Sequence, residues 1–123
     1  MTRTAEARDI LILDDELAIT RALRRLLGMR HRVRCAATPA EALALIEARL
    51  PDVLLSDYQL AEVTADAFLR QVKARWPSIR CILHSASQRD RWTGLLEDGV
   101  LDAVLLKPAS VPELLALVES RPR

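Results

Sequence analysis

The run Pro51-Asp52-Val53-Leu54-Leu55-Ser56-Asp57 decides the fold. Its apolar centre is short, continuous rather than alternating, and halted by a carboxylate. Such a run suits a strand buried on both faces of a parallel sheet. Ile10-Leu11-Ile12-Leu13, stopped by Asp14-Asp15, repeats the pattern nearer the start of the chain. Between the two, apolar residues at helical spacing (Leu17, Ala18, Leu23, Leu26, Leu27) predict a helix from Asp15 to Leu27, with Gly28 as its stop. A weaker strand covers Arg32 to Ala36. Thr38-Pro39-Ala40-Glu41 then opens a helix, Thr38 as cap, Pro39 in the first turn and Glu41 completing a capping box. That helix runs to about Arg49 and Pro51 ends it.

Beyond Asp57 the same alternation continues. A helix is expected from about Ala65 to Trp76, closed by Pro77, then a strand from Ile79 to Ser85. Arg89 to Asp98 forms the fourth helix, with Gly99 after it, and Ala103 to Leu106 the fifth strand, ending at Lys107-Pro108. Ser110-Val111-Pro112-Glu113 is another capping box and opens a last helix through about Ser120. Strict alternation predicts an α/β domain: a parallel sheet with right-handed crossovers and helices on both faces. Ligands of such sheets bind outside the carboxyl ends of the strands, where strand order reverses.

Composition narrows the possible functions. At 123 residues the chain fits one compact domain, and with half its residues hydrophobic it can build a sizeable core. Aromatics are so few that this core must be aliphatic. A net charge of +1 predicts no general attraction to nucleic acid or anionic membranes. Arg21, Arg24, Arg25, Arg30, Arg32 and Arg34 cluster, but without aromatic or helix-turn-helix signals they read as a solvated face. Cys35 and Cys81 form neither a disulfide framework nor a zinc site, and their strand-like settings suit buried free thiols. The opening residues are polar and no apolar run approaches membrane-spanning length, so a cytoplasmic setting is expected.

The strand-terminal polar residues are therefore the candidates: Asp14, Asp15, Asp57, Ser85 and Lys107. If the sheet forms, they converge on one edge. Crowded carboxylates repel, and a hard divalent cation such as Mg2+ relieves that repulsion through oxygen ligands. Lys107 adds positive charge beside Asp57, and Ser85 a hydroxyl able to donate to an oxyanion. A carboxylate nucleophile, a metal ion and a lysine together make a phosphoryl-transfer site. Any one of these residues alone could be a cap or a surface group; their joint placement at successive strand ends carries the reading.

Leu13-Asp14-Asp15-Glu16, Pro51 to Asp57, Ser85-Ala86 and Lys107-Pro108 as a spaced set resemble the receiver domains of two-component response regulators, including stand-alone chemotaxis-type regulators. The resemblance spans about Asp9 to Ser120 and implies a single receiver domain over residues 1–123. It implies a flavodoxin-like doubly wound sandwich with strand order 2-1-3-4-5. It makes Asp57 the phosphorylated residue, and Asp14, Asp15, Asp57 and the backbone carbonyl of Gln59 the Mg2+ ligands. Lys107 would bind phosphoryl oxygens, and Ser85 would move toward them on activation. Gln59 and Ser87 would tune loss of the phosphoryl group to water. The donors would be a sensor histidine kinase, a phosphotransfer protein or a small donor such as acetyl phosphate. No separate enzyme activity is expected beyond self-phosphorylation and self-dephosphorylation. Output domains, target proteins or a second copy would meet the face of helix four, strand five and helix five. The resemblance implies no direct contact with nucleic acid or membrane, and suits a stand-alone regulator and a piece of a longer one equally.

Departures from the family pattern bear on signalling rather than chemistry. Val104 stands where receivers usually carry an aromatic switch residue, Ala61 and Ala65 where Pro and Gly are common, and Ala109 where Phe often follows Lys-Pro. A switch without that ring must work through loops or helix four. Trp92 on that helix reads first as core packing and second as a partner-binding residue. His84 is a weak candidate for a phosphorylated histidine. A haloacid-dehalogenase reading uses Asp14 and Glu16 but leaves the Asp57 motif unexplained. A flavin-binding module lacks the phosphate-cradling loop after the first strand. A degenerate receiver serving only as an interaction platform stays open through Val104.

Overall fold

The computed structural model describes residues 7–60, 63–86 and 89–120. Ala61 and Ser87, named above, lie outside them. Five strands and five helices alternate: β1 (Asp9–Leu13), α1 (Leu17–Leu27), β2 (Arg32–Ala36), α2 (Pro39–Ala48), β3 (Val53–Ser56), α3 (Asp66–Arg75), β4 (Arg80–Ser85), α4 (Arg89–Glu97), β5 (Ala103–Leu106) and α5 (Val111–Glu119). All pairings are parallel and the sheet order is β2-β1-β3-β4-β5. The chain thus winds one way from β1 to β2 and the other way from β3 to β5, so strand order reverses between β1 and β3.

The period-two geometry of strands sorts the core into two layers. Leu11, Leu13, Leu54, Cys81 and Leu83 pack against α2, α3 and α4 through Ile46, Phe68, Leu69, Val72 and Leu95. Their neighbours Ile10, Ile12, Val53, Leu55 and Ile82 pack on the other face against Leu23, Leu27, Leu114 and Val118 of α1 and α5. This two-sided burial is why β1 and β3 read as unbroken apolar runs.

Local signals place the helices. The Thr38 hydroxyl accepts the Glu41 amide at 3.2 Å, with Pro39 in the first turn. The Glu41 carboxylate reaches the Ala37 amide rather than that of Thr38, so this capping box closes one residue early. At α5 the box is complete: Ser110 and Glu113 bond each other's backbone amides, both at 3.2 Å. Gly99 ends α4 at a φ of 76°, where glycine is favoured. Gly28 also ends a helix, but by another means than expected. Its φ is −65°, and a Cβ there would come within 2.5 Å of the Arg24 carbonyl oxygen. Absence of a side chain, not a left-handed turn, is what the site needs.

Trp92 belongs to the core, with 6% of its surface exposed. It lies three residues before buried Leu95, on the inward face of α4. This overturns the reading of Trp92 as a surface residue for a partner. Cys81 is fully buried and Cys35 half-buried, both free.

Candidate functional site

The carboxyl ends of β1 and β3 are stitched together by the Asp57 amide, which donates to the Leu13 carbonyl at 2.8 Å. Those of β4 and β5 are joined by the Lys107 amide donating to Ser85 at 3.0 Å. These two bonds bring the strand-terminal residues to one edge. Asp14 and Asp57 are buried there, with 3% and 7% of their surface exposed, and Ser85 is buried beside them.

Lys107 Nζ stands between the two carboxylates, 3.1 Å from Asp14 Oδ2 and 3.5 Å from Asp57 Oδ2. The remaining oxygen of each is held by backbone. Asp14 Oδ1 accepts the Glu16 amide at 2.9 Å, and Asp57 Oδ1 the Tyr58 amide at 2.8 Å. Burial pushes the Asp57 carboxyl above its usual range; the charge of Asp14 adds to this, while Lys107 and the Tyr58 amide oppose it. The carboxylates of Asp14, Asp57 and Glu16 place one oxygen each within 4.8 Å of one another. Lys107 pairs with two of the three, and the ligand atoms that the three acids offer are all oxygens. That donor set fits a hard divalent cation and does not suit a soft one.

The expected residues sort unevenly around this centre. Asp14, Asp57, Ser85 and Lys107 meet at the edge as their positions implied. Asp15 is half-buried and stands outside the three-carboxylate group, in which Glu16 sits instead. The third acid of the Asp14-Asp15-Glu16 run is the one available signal for it. Gln59 is exposed, in the loop after Asp57, where it pairs with Thr64 through an isolated bridge. Val104 is half-buried against the α2–α4 side of the core.

Two further residues adjoin the site. Tyr58 is buried, its amide on Asp57 and its hydroxyl donating to the Arg91 carbonyl of α4 at 3.1 Å. It therefore connects the candidate acceptor to helix four, a contact that no local sequence signal announces. His84 points to the other sheet face, where it lines a cavity of about 620 Å³ between α1 and the segment after β5, with Ala18, Ala22, Leu26, Lys107 and Val111. Burial, reinforced by Lys107, holds its pKa below the ordinary histidine value.

Comparison with known proteins gives the same assignment. The response regulator receiver domain family matches residues 10–119. The transcriptional regulatory protein ZraR of Escherichia coli O157:H7 is 33% identical over 113 residues, covering 90% of this chain and 25% of that protein. The DNA-binding transcriptional regulator NtrC of Escherichia coli K12 is 33% identical over 112 residues, covering 89% and 24%. The chain thus spans about a quarter of the length of these relatives. Among solved structures, a CheY-like receiver domain protein from Methanospirillum hungatei superimposes with a TM-score of 0.85 at 25% identity, covering 92% of this chain and 91% of that one. NtrX from Brucella abortus gives 0.81 at 26%, covering 92% and 25%. With the sheet order, the strand-end residues and these likenesses in agreement, the chain belongs to the response regulator receiver domain family.

Proposed function

We propose that this receiver domain accepts a phosphoryl group on Asp57, taken from a histidine kinase, a phosphotransfer protein or a small phosphodonor. The observation carrying the proposal is the placement of Lys107 between two buried carboxylates at the point where strand order reverses. A carboxylate oxygen of Asp57 attacks phosphorus. The new O–P bond replaces the bond to the donor's nitrogen or oxygen, and the departing group leaves with that electron pair. Lys107 would neutralise charge on the phosphoryl oxygens, and the Ser85 hydroxyl would donate to them. Asp14, Asp15, Asp57 and the Gln59 carbonyl are the residues to hold Mg2+, which supplies further charge neutralisation when bound.

The partners follow from the same edge. The cavity beside Lys107 and the exposed Leu17 and Leu26 of α1 offer the donor protein an apolar surface flanking Asp57. Exposed Leu96 and Leu106 support the α4–β5–α5 face as the surface for an output domain, a target protein or a second copy. Because Val104 is aliphatic, the Tyr58–Arg91 bond is the contact on hand to carry a change at Asp57 to α4.

Intact mass after incubation with acetyl phosphate and Mg2+ tests this reading. A phosphoryl adduct is expected on the native protein, dependent on Mg2+ and absent from Asp57→Asn. No adduct with acetyl phosphate or with phosphohistidine donors would overturn it in favour of an interaction platform.

A further inference from the structure

The family pattern accounts for Asp14 and Asp15 but assigns nothing to the third acid, Glu16. We infer that Glu16 is an additional carboxylate of the cation site and strengthens its hold on Mg2+. The inference rests on reading the site as a cation-assisted phosphoryl acceptor.

Glu16 holds the N-cap position of α1, yet its side chain makes no cap hydrogen bond. An exposed glutamate at that position ordinarily turns to the free amides of the first turn or to solvent. Here the carboxylate instead has an oxygen within 4.8 Å of the Asp14 and Asp57 carboxylates. The backbone fixes this position from both sides. The Glu16 amide is bound to Asp14 Oδ1 at 2.9 Å, and its carbonyl accepts the amides of Ile19 and Thr20, both at 3.1 Å. Among the described residues no lysine, arginine or histidine makes an ion pair with Glu16, and Lys107 is engaged by the other two acids. The group therefore carries more negative charge than its one ammonium balances. Asp14 and Asp57 are buried, so the chain holds this excess where water screens it least. Raising ligand charge at an oxygen site is how such sites gain affinity for divalent cations.

Isothermal titration of Mg2+ into metal-free protein tests the assignment, comparing the native chain with Glu16→Gln, Asp57→Asn and Glu97→Gln. Glu97 is exposed on α4 and makes the same charge change away from the group. Glu16→Gln is expected to weaken Mg2+ binding about tenfold, and Glu97→Gln to leave it within about twofold. Circular dichroism of Glu16→Gln should match the native spectrum, since the side chain caps nothing. Equal affinities for Glu16→Gln and Glu97→Gln would overturn the role of Glu16. If the native chain bound no Mg2+, or Asp57→Asn bound it as tightly, the underlying reading of the site would fall instead.

Discussion

The two edges of the sheet use acidic residues in opposite ways. At the amino edge Asp9, Asp52 and Asp102 are each matched. Asp9 Oδ1 takes Arg34 at 3.0 Å, and Arg49 Nε stands 2.9 Å from Oδ2, an ion pair whose angle falls short of a hydrogen bond. Asp52 accepts the Asp9 amide, and Asp102 accepts both Lys73 and the Cys81 amide, all at 2.8 Å. At the carboxyl edge Lys107 pairs with Asp14 and Asp57, while Glu16, grouped with them, makes no ion pair among the described residues. The first arrangement closes the ends of strands. The second leaves negative charge uncompensated in a buried place, which lowers stability and is kept where a ligand is to be bound.

Changes at the two edges should therefore separate activity from stability. The largest effect is expected at Lys107. Lys107→Met removes the ammonium that stands 3.5 Å from Asp57 and should slow labelling by acetyl phosphate about 10²-fold or more, followed by mass spectrometry. A change below about threefold would break the contrast from the carboxyl side. Asp9→Asn should leave the labelling rate unchanged but destabilise the domain by about 2–4 kcal/mol in urea unfolding. That range allows for Arg49, which is half-exposed and can return to water. A stability loss within error would mean that the amino-edge pairs are merely superficial.

Much of this is legible in the amino-acid sequence. β1 and β3 are buried on both faces, so their composition alone reports them, and the acids that stop them mark the edge that carries the site. The capping residues Thr38 and Ser110 locate helices for the same local reason. What stays hidden depends on contacts between distant segments. Arg34 reads as part of a solvated arginine cluster until the β1–β2 register sets it near Asp9. Arg30 likewise meets Glu119 from the far end of the chain. Tyr58 bonds Arg91, 33 residues away, and nothing in either neighbourhood points to the other. Glu16 belongs to the acidic run that stops β1, but its direction depends on the turn between β1 and α1. Trp92 is the more readable case, since its spacing to Leu95 already puts both on one helix face.

Thermal unfolding of the native chain, Asp57→Asn and Asp9→Asn, with and without Mg2+, tests the contrast between the edges most directly. Burial raises the Asp57 carboxyl pKa, so its ionisation opposes folding: stability contributed at low pH is lost as pH rises and the group ionises. At neutral pH without a divalent cation, Asp57→Asn should accordingly melt above the native chain and Asp9→Asn below it. Mg2+ should raise the melting temperature of the native chain and of Asp9→Asn, and raise that of Asp57→Asn far less. Lower melting for both variants, together with equal Mg2+ shifts in all three proteins, would contradict the assignment of one edge to structure and the other to function.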